Sequence, residues 1–142
     1  MIVGLGRTGL SCARYFVREG IPFALMDREP APAGLAELRL IDQDLKIGPM
    51  DLDGLRSAAE IVLSPGVPRA SIEIQQAIAE GVRITNDVAM FSEVADAPVI
   101  VITGSNGKST VTMLVGEMAR CCGRNPGVGG NIGIPCLDLL AK

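Results

Sequence analysis

Residues 99–111 read Val-Ile-Val-Ile-Thr-Gly-Ser-Asn-Gly-Lys-Ser-Thr-Val, and this stretch narrows the folds open to the chain more than any other. Four β-branched residues run into a short glycine-rich turn, and apolar residues at helical spacing follow. That order predicts a strand, a phosphate loop and a helix. Backbone N–H groups of the turn and of the first helical turn then converge on one spot, carry partial positive charge there and suit an anion. Lys108 adds a full charge for the outer phosphates of a nucleotide, and the hydroxyl of Ser109 is placed to ligate a magnesium ion. The usual form of such a loop is G-x-x-x-x-G-K-[ST]. Here its first glycine would fall at Ile102, so what stands is a shorter loop, Gly104-x-x-Gly107-Lys108-Ser109. A lysine at a helix N-terminus opposes the helix dipole, which favours a bound anion over a plain corner.

A second glycine-rich corner lies at the other end. Residues 1–3 read as the end of a strand, followed by Gly4-Leu-Gly6-Arg-Thr-Gly9 and a helix. Leu10, Ala13, Phe16 and Val17 fall on one face of that helix, and Gly20 ends it. Residues 23–26 make the next strand, with Asp27 at its C-terminal edge. This is the G-x-G-x-x-G fingerprint with an acidic residue about 20 positions on, suited to close approach of backbone to a pyrophosphate. Only residues 1–3 remain for a strand that usually has about five or six residues, so it reads as truncated.

Between the corners, strands and helices alternate. Residues 30–34 form a loop, 35–40 a short helix, 45–47 a strand, 52–59 a helix and 60–63 a strand. Ser64-Pro65-Gly66-Val67-Pro68 makes a rigid turn at the end of the sheet where ligands bind in such folds. Residues 71–80 form a helix capped by Ser71 with Ile74, Ala77 and Ile78 inward, and 82–85 a strand. This alternation predicts a parallel α/β sheet. Residues 87–94 form a helix, and 95–98 break the chain before the phosphate-loop strand at 99–102. Val111, Leu114, Val115, Met118 and Cys122 keep helical spacing and read as core. Asn131 either fills a turn, since Asn tolerates left-handed backbone, or contacts a ligand. Residues 137–140 begin a last helix.

Composition sets outer limits. Hydrophobic residues make up 48% and charged residues 20%, which is globular, and aromatics only 3%, so the core is aliphatic. The net charge is -3 and no basic run or aromatic series occurs, which argues against nucleic acid as a main partner. The four cysteines (12, 121, 122 and 136) make no C-x-x-C pair and there is no histidine, which argues against zinc. They read as reduced thiols of a cytoplasmic protein. The start has neither a basic leader nor a long apolar stretch, so no membrane segment is expected there.

Two phosphate-binding corners on successive α/β units suggest ATP used to activate a second substrate that itself carries a diphosphate. Gly4-Leu-Gly-Arg-Thr-Gly-Leu-Ser-Cys12, Ser64-Pro-Gly66, Thr103-Gly-Ser-Asn-Gly-Lys-Ser-Thr110 and Gly127-Val-Gly-Gly-Asn-Ile-Gly133 together resemble the Mur ligase family, in order along the whole chain. The resemblance implies a UDP-substrate-binding Rossmann-like domain over residues 1–86, its first strand truncated. It implies the beginning of a central, P-loop NTPase-type ATP-binding domain over residues 87–142. The implied reaction belongs to peptidoglycan precursor synthesis. ATP, with Mg2+, phosphorylates the carboxylate of UDP-N-acetylmuramoyl-L-alanine, and the amine of D-glutamate attacks the acyl phosphate.

By the same resemblance Gly104, Ser105, Asn106, Gly107, Lys108, Ser109 and Thr110 hold ATP, with Lys108 catalytic and Ser109 on the metal. Gly6, Arg7, Thr8, Asp27, Arg28, Gly66 and Asn131 hold the UDP-linked substrate, Asp27 and Arg28 toward the uracil. The family often has an apolar residue where this chain has Arg7. A metal-binding glutamate and histidine, a carbamylated lysine, the adenine pocket and the D-glutamate site lie beyond Lys142 in the family. The chain alone is therefore expected to be inactive, and its full-length parent a monomer. It is also expected to leave the 99–102 strand edges and the 114–118 helix face partly uncovered. Two rivals remain open: a sibling ligase adding another amino acid, and a regulatory module that binds NAD through Gly4–Gly9 and Asp27.

Overall fold

Short aliphatic runs build the sheet. In the computed structural model, which describes residues 1–32, 34–42 and 45–141, five strands form one parallel sheet. They are β1 (Ile2–Val3), β2 (Leu25–Asp27), β3 (Lys46–Ile47), β4 (Glu60–Leu63) and β5 (Arg83–Thr85), in the order β3-β2-β1-β4-β5. Ala33 of the expected 30–34 loop and Lys142 lie outside the described residues. Side chains alternate across a strand, and here both faces are apolar, as a sheet covered on both sides requires. Ile2, in register with Leu25 and Val62, faces one layer; Val3, in register with Met26 and Leu63, faces the other.

Helices cover each face. α1 (Arg7–Arg18), α2 (Leu35–Ile41) and α5 (Asp87–Val94) pack on the first through Phe16, Leu38 and Phe91. α3 (Leu52–Arg56) and α4 (Ile72–Ala79) cover the second through Leu55, Ile74 and Ala77, with Ile78 partly buried beside them. The expected α/β layering is thus present, with local corrections. α3 stops at Arg56, because the Ser57 hydroxyl takes the Gly54 carbonyl. Ser71 does not cap α4 through its side chain: its hydroxyl donates to the Pro68 carbonyl at 2.9 Å. Asp51 and Asn86 do cap, accepting from the amides of Gly54 and Ala89. Val17 is exposed, because the buried face of α1 runs through Ser11, Cys12, Ala13, Tyr15 and Phe16.

The expected last helix is a 3₁₀ helix, Cys136–Ala141, and it returns to the first core. Leu137 is buried there, and the Ser11 hydroxyl donates to Asp138 at 2.8 Å. The Arg14–Asp138 pair is 3.8 Å apart and partly exposed. Burying a leucine contributes about 1.5–3 kcal/mol, against up to about 1 kcal/mol for an exposed ion pair, so Leu137 holds this segment down. Beneath it, burial pushes the Cys12 thiol up to about 12 and the Cys136 thiol to about 11, the Asp87 carboxylate adding to both.

The stretch around the phosphate loop differs most from expectation. Residues 99–102 form no strand among the described residues. A strand's N–H and C=O groups need a neighbour, and none of the five strands runs beside them. α6 (Lys108–Cys121) forms, but its apolar stripe is not core: Leu114 is 57% and Met118 67% exposed, and Val111 and Cys122 also face solvent. Its buried residue is Gly116, against which the Val128 side chain lies. Among the described residues, no helix is long and apolar enough to cross a membrane.

Two outcomes follow. Amides of 99–106 should exchange well before those of β1 and β4, and the chain should self-associate as concentration rises. Slow exchange throughout 99–120 in a monodisperse sample would contradict both. Second, burial raises the pKa of Asp87 above its unfolded value. Its ionised form therefore costs stability above the raised pKa, and that cost disappears below about pH 4, where both states are protonated. Asp87→Asn should melt higher than the parent at pH 7, the gap closing as pH falls toward about 4. Equal melting temperatures at pH 7 would contradict this.

Candidate functional site

Strand order changes direction at β1: β2 and β3 lie to one side, β4 and β5 to the other. In such sheets the crevice at the carboxyl ends of the strands, at the switch, receives the ligand. Here α1 leaves β1 through Gly4–Gly9 at that crevice. A Cβ on Gly9 would overlap the Gly4 carbonyl oxygen, so only glycine lets α1 sit this close to β1. The buried Ser64 hydroxyl donates to the same carbonyl at 2.6 Å, tying the end of β4 to the corner. Asp27, at the end of β2, accepts from the Leu5 and Glu29 amides, which shapes the loop from below.

The result is a cleft of about 390 Å³. It gathers Gly6, Arg7, Thr8, Asp27, Gly66 and Asn131, six of the residues singled out in the sequence. Arg28 does not line it: its guanidinium pairs with Glu73 of α4 at 2.8 Å. Leu5, Ser64, Pro65, Val67, Gly130 and Pro135 line the cleft without having been singled out individually. The Ser64–Pro68 turn carried a signal for three of them; Pro135 carried none, because its place depends on a loop returning from far along the chain. α1 begins without a side-chain cap and without an acidic residue in its first turn, so the amides at its positive end stay open to an anion. Asn131 is not left-handed, since no described residue other than glycine has positive φ. It sits all the same in the loop that Gly129 and Ile134 close.

The second corner is built at the start of α6. Gly107 takes a left-handed backbone, φ 75°, and caps the helix without a side chain. The Lys108 ammonium folds back onto the loop, donating to the carbonyls of Gly104 and Ser105, the latter at 3.2 Å. Thr112 bonds the Lys108 carbonyl, whereas the Ser109 hydroxyl has no partner among the described residues. Lys108, Ser109 and Thr112 line a second cleft of about 450 Å³. Gly104, Ser105, Asn106, Gly107 and Thr110 line neither cleft. A free hydroxyl beside a lysine at an uncapped helix start fits a magnesium nucleotide, since Mg²⁺ takes oxygen donors and usually only one or two from protein. Gly130 and Asn131 line both clefts, so one loop is the wall between them.

Comparison with known proteins matches this arrangement to a described family. The family model for the N-terminal domain of MurD-like Mur ligases matches residues 1–86. A protein of Hahella chejuensis named UDP-N-acetylmuramoylalanine--D-glutamate ligase is 56% identical over 142 residues, 99% of this chain and 32% of its own length. Proteins of the same name from Marinobacter nauticus and Pseudomonas aeruginosa are 52% and 47% identical, over 100% and 99% of this chain and 32% of each relative. The chain thus spans about a third of the length of these relatives.

The Gly4–Gly9 contact gives a direct test. Gly9→Ala should destabilise the chain by about 3 kcal/mol in urea unfolding, because the added methyl group meets backbone rather than a flexible side chain. A loss under about 0.5 kcal/mol, the range of an ordinary surface change, would contradict the close approach.

Proposed function

We propose that this chain, which belongs to the Mur ligase family with a MurD-like N-terminal domain over residues 1–86, supplies two nucleotide-holding corners of an ATP-dependent ligase joining D-glutamate to UDP-N-acetylmuramoyl-L-alanine. One observation carries this reading: the Gly4–Gly9 corner opens on one cleft, Lys108 and Ser109 at the start of α6 line a second, and the two clefts share the Gly130–Asn131 wall. A ligase that phosphorylates one substrate with another needs two phosphorylated ligands held side by side.

In the first cleft the open amides at the start of α1 hold the diphosphate of the UDP-linked substrate, with the Thr8 hydroxyl beside them. Asp27 holds the Leu5 amide and keeps the loop in shape for that contact. Gly66 and Asn131 bound the ligand on its other sides. At the edge of the second cleft, where Lys108 and Ser109 line it, the amides of the 104–110 loop hold the ATP phosphates. Lys108 exchanges its loop carbonyls for phosphate oxygens and neutralises the charge that grows on the transferred phosphoryl group. Ser109 would hold Mg²⁺ through its hydroxyl, and the ion would supply positive charge against the phosphates.

The transfer produces an acyl phosphate and ADP, and the amine of D-glutamate then displaces phosphate. The D-glutamate end of the site belongs to parts of the enzyme other than these residues, and the setting is the cytoplasm, with the whole enzyme a monomer. Arg28, held by Glu73, must change partners to meet a uracil.

Lys108→Ala in the full-length enzyme should lower ATP turnover by at least about 100-fold, the scale of removing one preorganised charge from a transition state, with an unchanged melting temperature. Full turnover in that variant would overturn the assignment. The 142-residue chain alone should release no phosphate in response to D-glutamate. It should be retained by UDP-linked rather than NAD-linked matrices, the reverse favouring a dinucleotide module.

A further inference from the structure

Arg7 is placed oddly for an arginine. It is the first residue of α1, where a cation opposes the helix dipole. It makes no ion pair among the described residues, although it lines the first cleft. Its contact is instead to backbone: Nη2 donates to the Gly133 carbonyl at 2.5 Å, 126 positions along the chain. The loop it reaches is closed on itself at the far side, where Gly129 bridges Ile134 and the Gly130 amide donates to the Ile134 carbonyl at 2.7 Å. Residues 129–134 therefore form a small closed turn, and the Arg7 guanidinium grips its outer end. That turn carries Gly130 and Asn131, the wall common to both clefts.

We propose that Arg7 is a positioning residue: its guanidinium latches the 129–134 turn across the first cleft and so preforms that cleft for a nucleoside diphosphate. The latch rests on the contact to Gly133; the ligand rests on the reading given under Proposed function. A guanidinium has five N–H donors in a fixed fork, and one of them is spent on Gly133. The others remain for phosphate oxygens without release of the turn. The uncompensated charge beside the positive end of α1 has an anion as its natural partner. Preforming the turn removes the ordering cost that the ligand would otherwise meet on binding.

The test uses the 142-residue chain and its variants Arg7→Leu and Arg7→Lys. Hydrogen exchange over 129–134 reads the latch, and titration with UDP reads the ligand. Arg7→Leu should speed exchange in 129–134 but not in β1 or β4, and weaken UDP by about tenfold, the scale of one lost charged hydrogen bond. Arg7→Lys, which keeps the charge without the fork, should fall between Leu and the parent in both readouts.

Unchanged exchange in Arg7→Leu overturns the latch, whatever happens to UDP affinity. Faster exchange with UDP affinity unchanged overturns the claim that the latch preforms the cleft. A parent chain that does not bind UDP overturns the ligand reading of the first cleft, and the exchange result still decides the latch.

Discussion

The Gly4 carbonyl is the point on which the rest of the fold turns. Gly9 brings the first turn of α1 against it, and the Ser64 hydroxyl donates to it from the end of β4. One oxygen thus joins the central strand, the first helix and the neighbouring strand. Without that junction α1 would stand off the sheet, and the cleft would lose the wall of amides at its base. Glycine at position 9 serves packing first; the opening for a ligand follows from it.

A chain of net charge -3 holds anions only with local donors, and both corners show how. Each places an uncapped helix start and one cation at a cleft mouth, Arg7 on α1 and Lys108 on α6. Each cation is held by backbone carbonyls rather than by an acidic side chain. A carbonyl contact fixes the position of the charge without cancelling it, which an aspartate would do. The clefts differ in what surrounds them. The first is set in a sheet that is covered on both faces; the second borders residues 99–101 and α6, whose apolar side chains meet solvent.

The first unit was legible because its signals are local and agree with one another. Alternating aliphatic strands, the Gly4–Gly9 corner and Asp27 each pointed to the same sheet edge, and Gly6, Arg7, Thr8, Asp27 and Gly66 line one cleft there. What escaped the sequence depends on partners far along the chain. Residues 99–102 have the composition of a strand, yet pairing decides a strand and, among the described residues, none of the five strands pairs with them. Val17 and Leu38 look equally apolar in sequence, and only the path of neighbouring helices leaves the first exposed and the second buried. Ser71 has a capping residue's chemistry, but its hydroxyl donates to the Pro68 carbonyl instead. Arg28 stands next to Asp27 in sequence and is drawn off by Glu73, 45 positions away. Arg7 was expected near a diphosphate, while its grip on Gly133 could not be read from spacing.

The core is aliphatic, and that has an optical consequence. The chain has no tryptophan and a single tyrosine, Tyr15, which is 8% exposed in the layer that also holds Phe16 and Leu137. Tyrosine emission from this chain therefore originates at one ring, on the face of α1 where the 3₁₀ helix Cys136–Ala141 docks. The molecule carries a native fluorophore at the seam between its two ends, reporting their docking with no label attached.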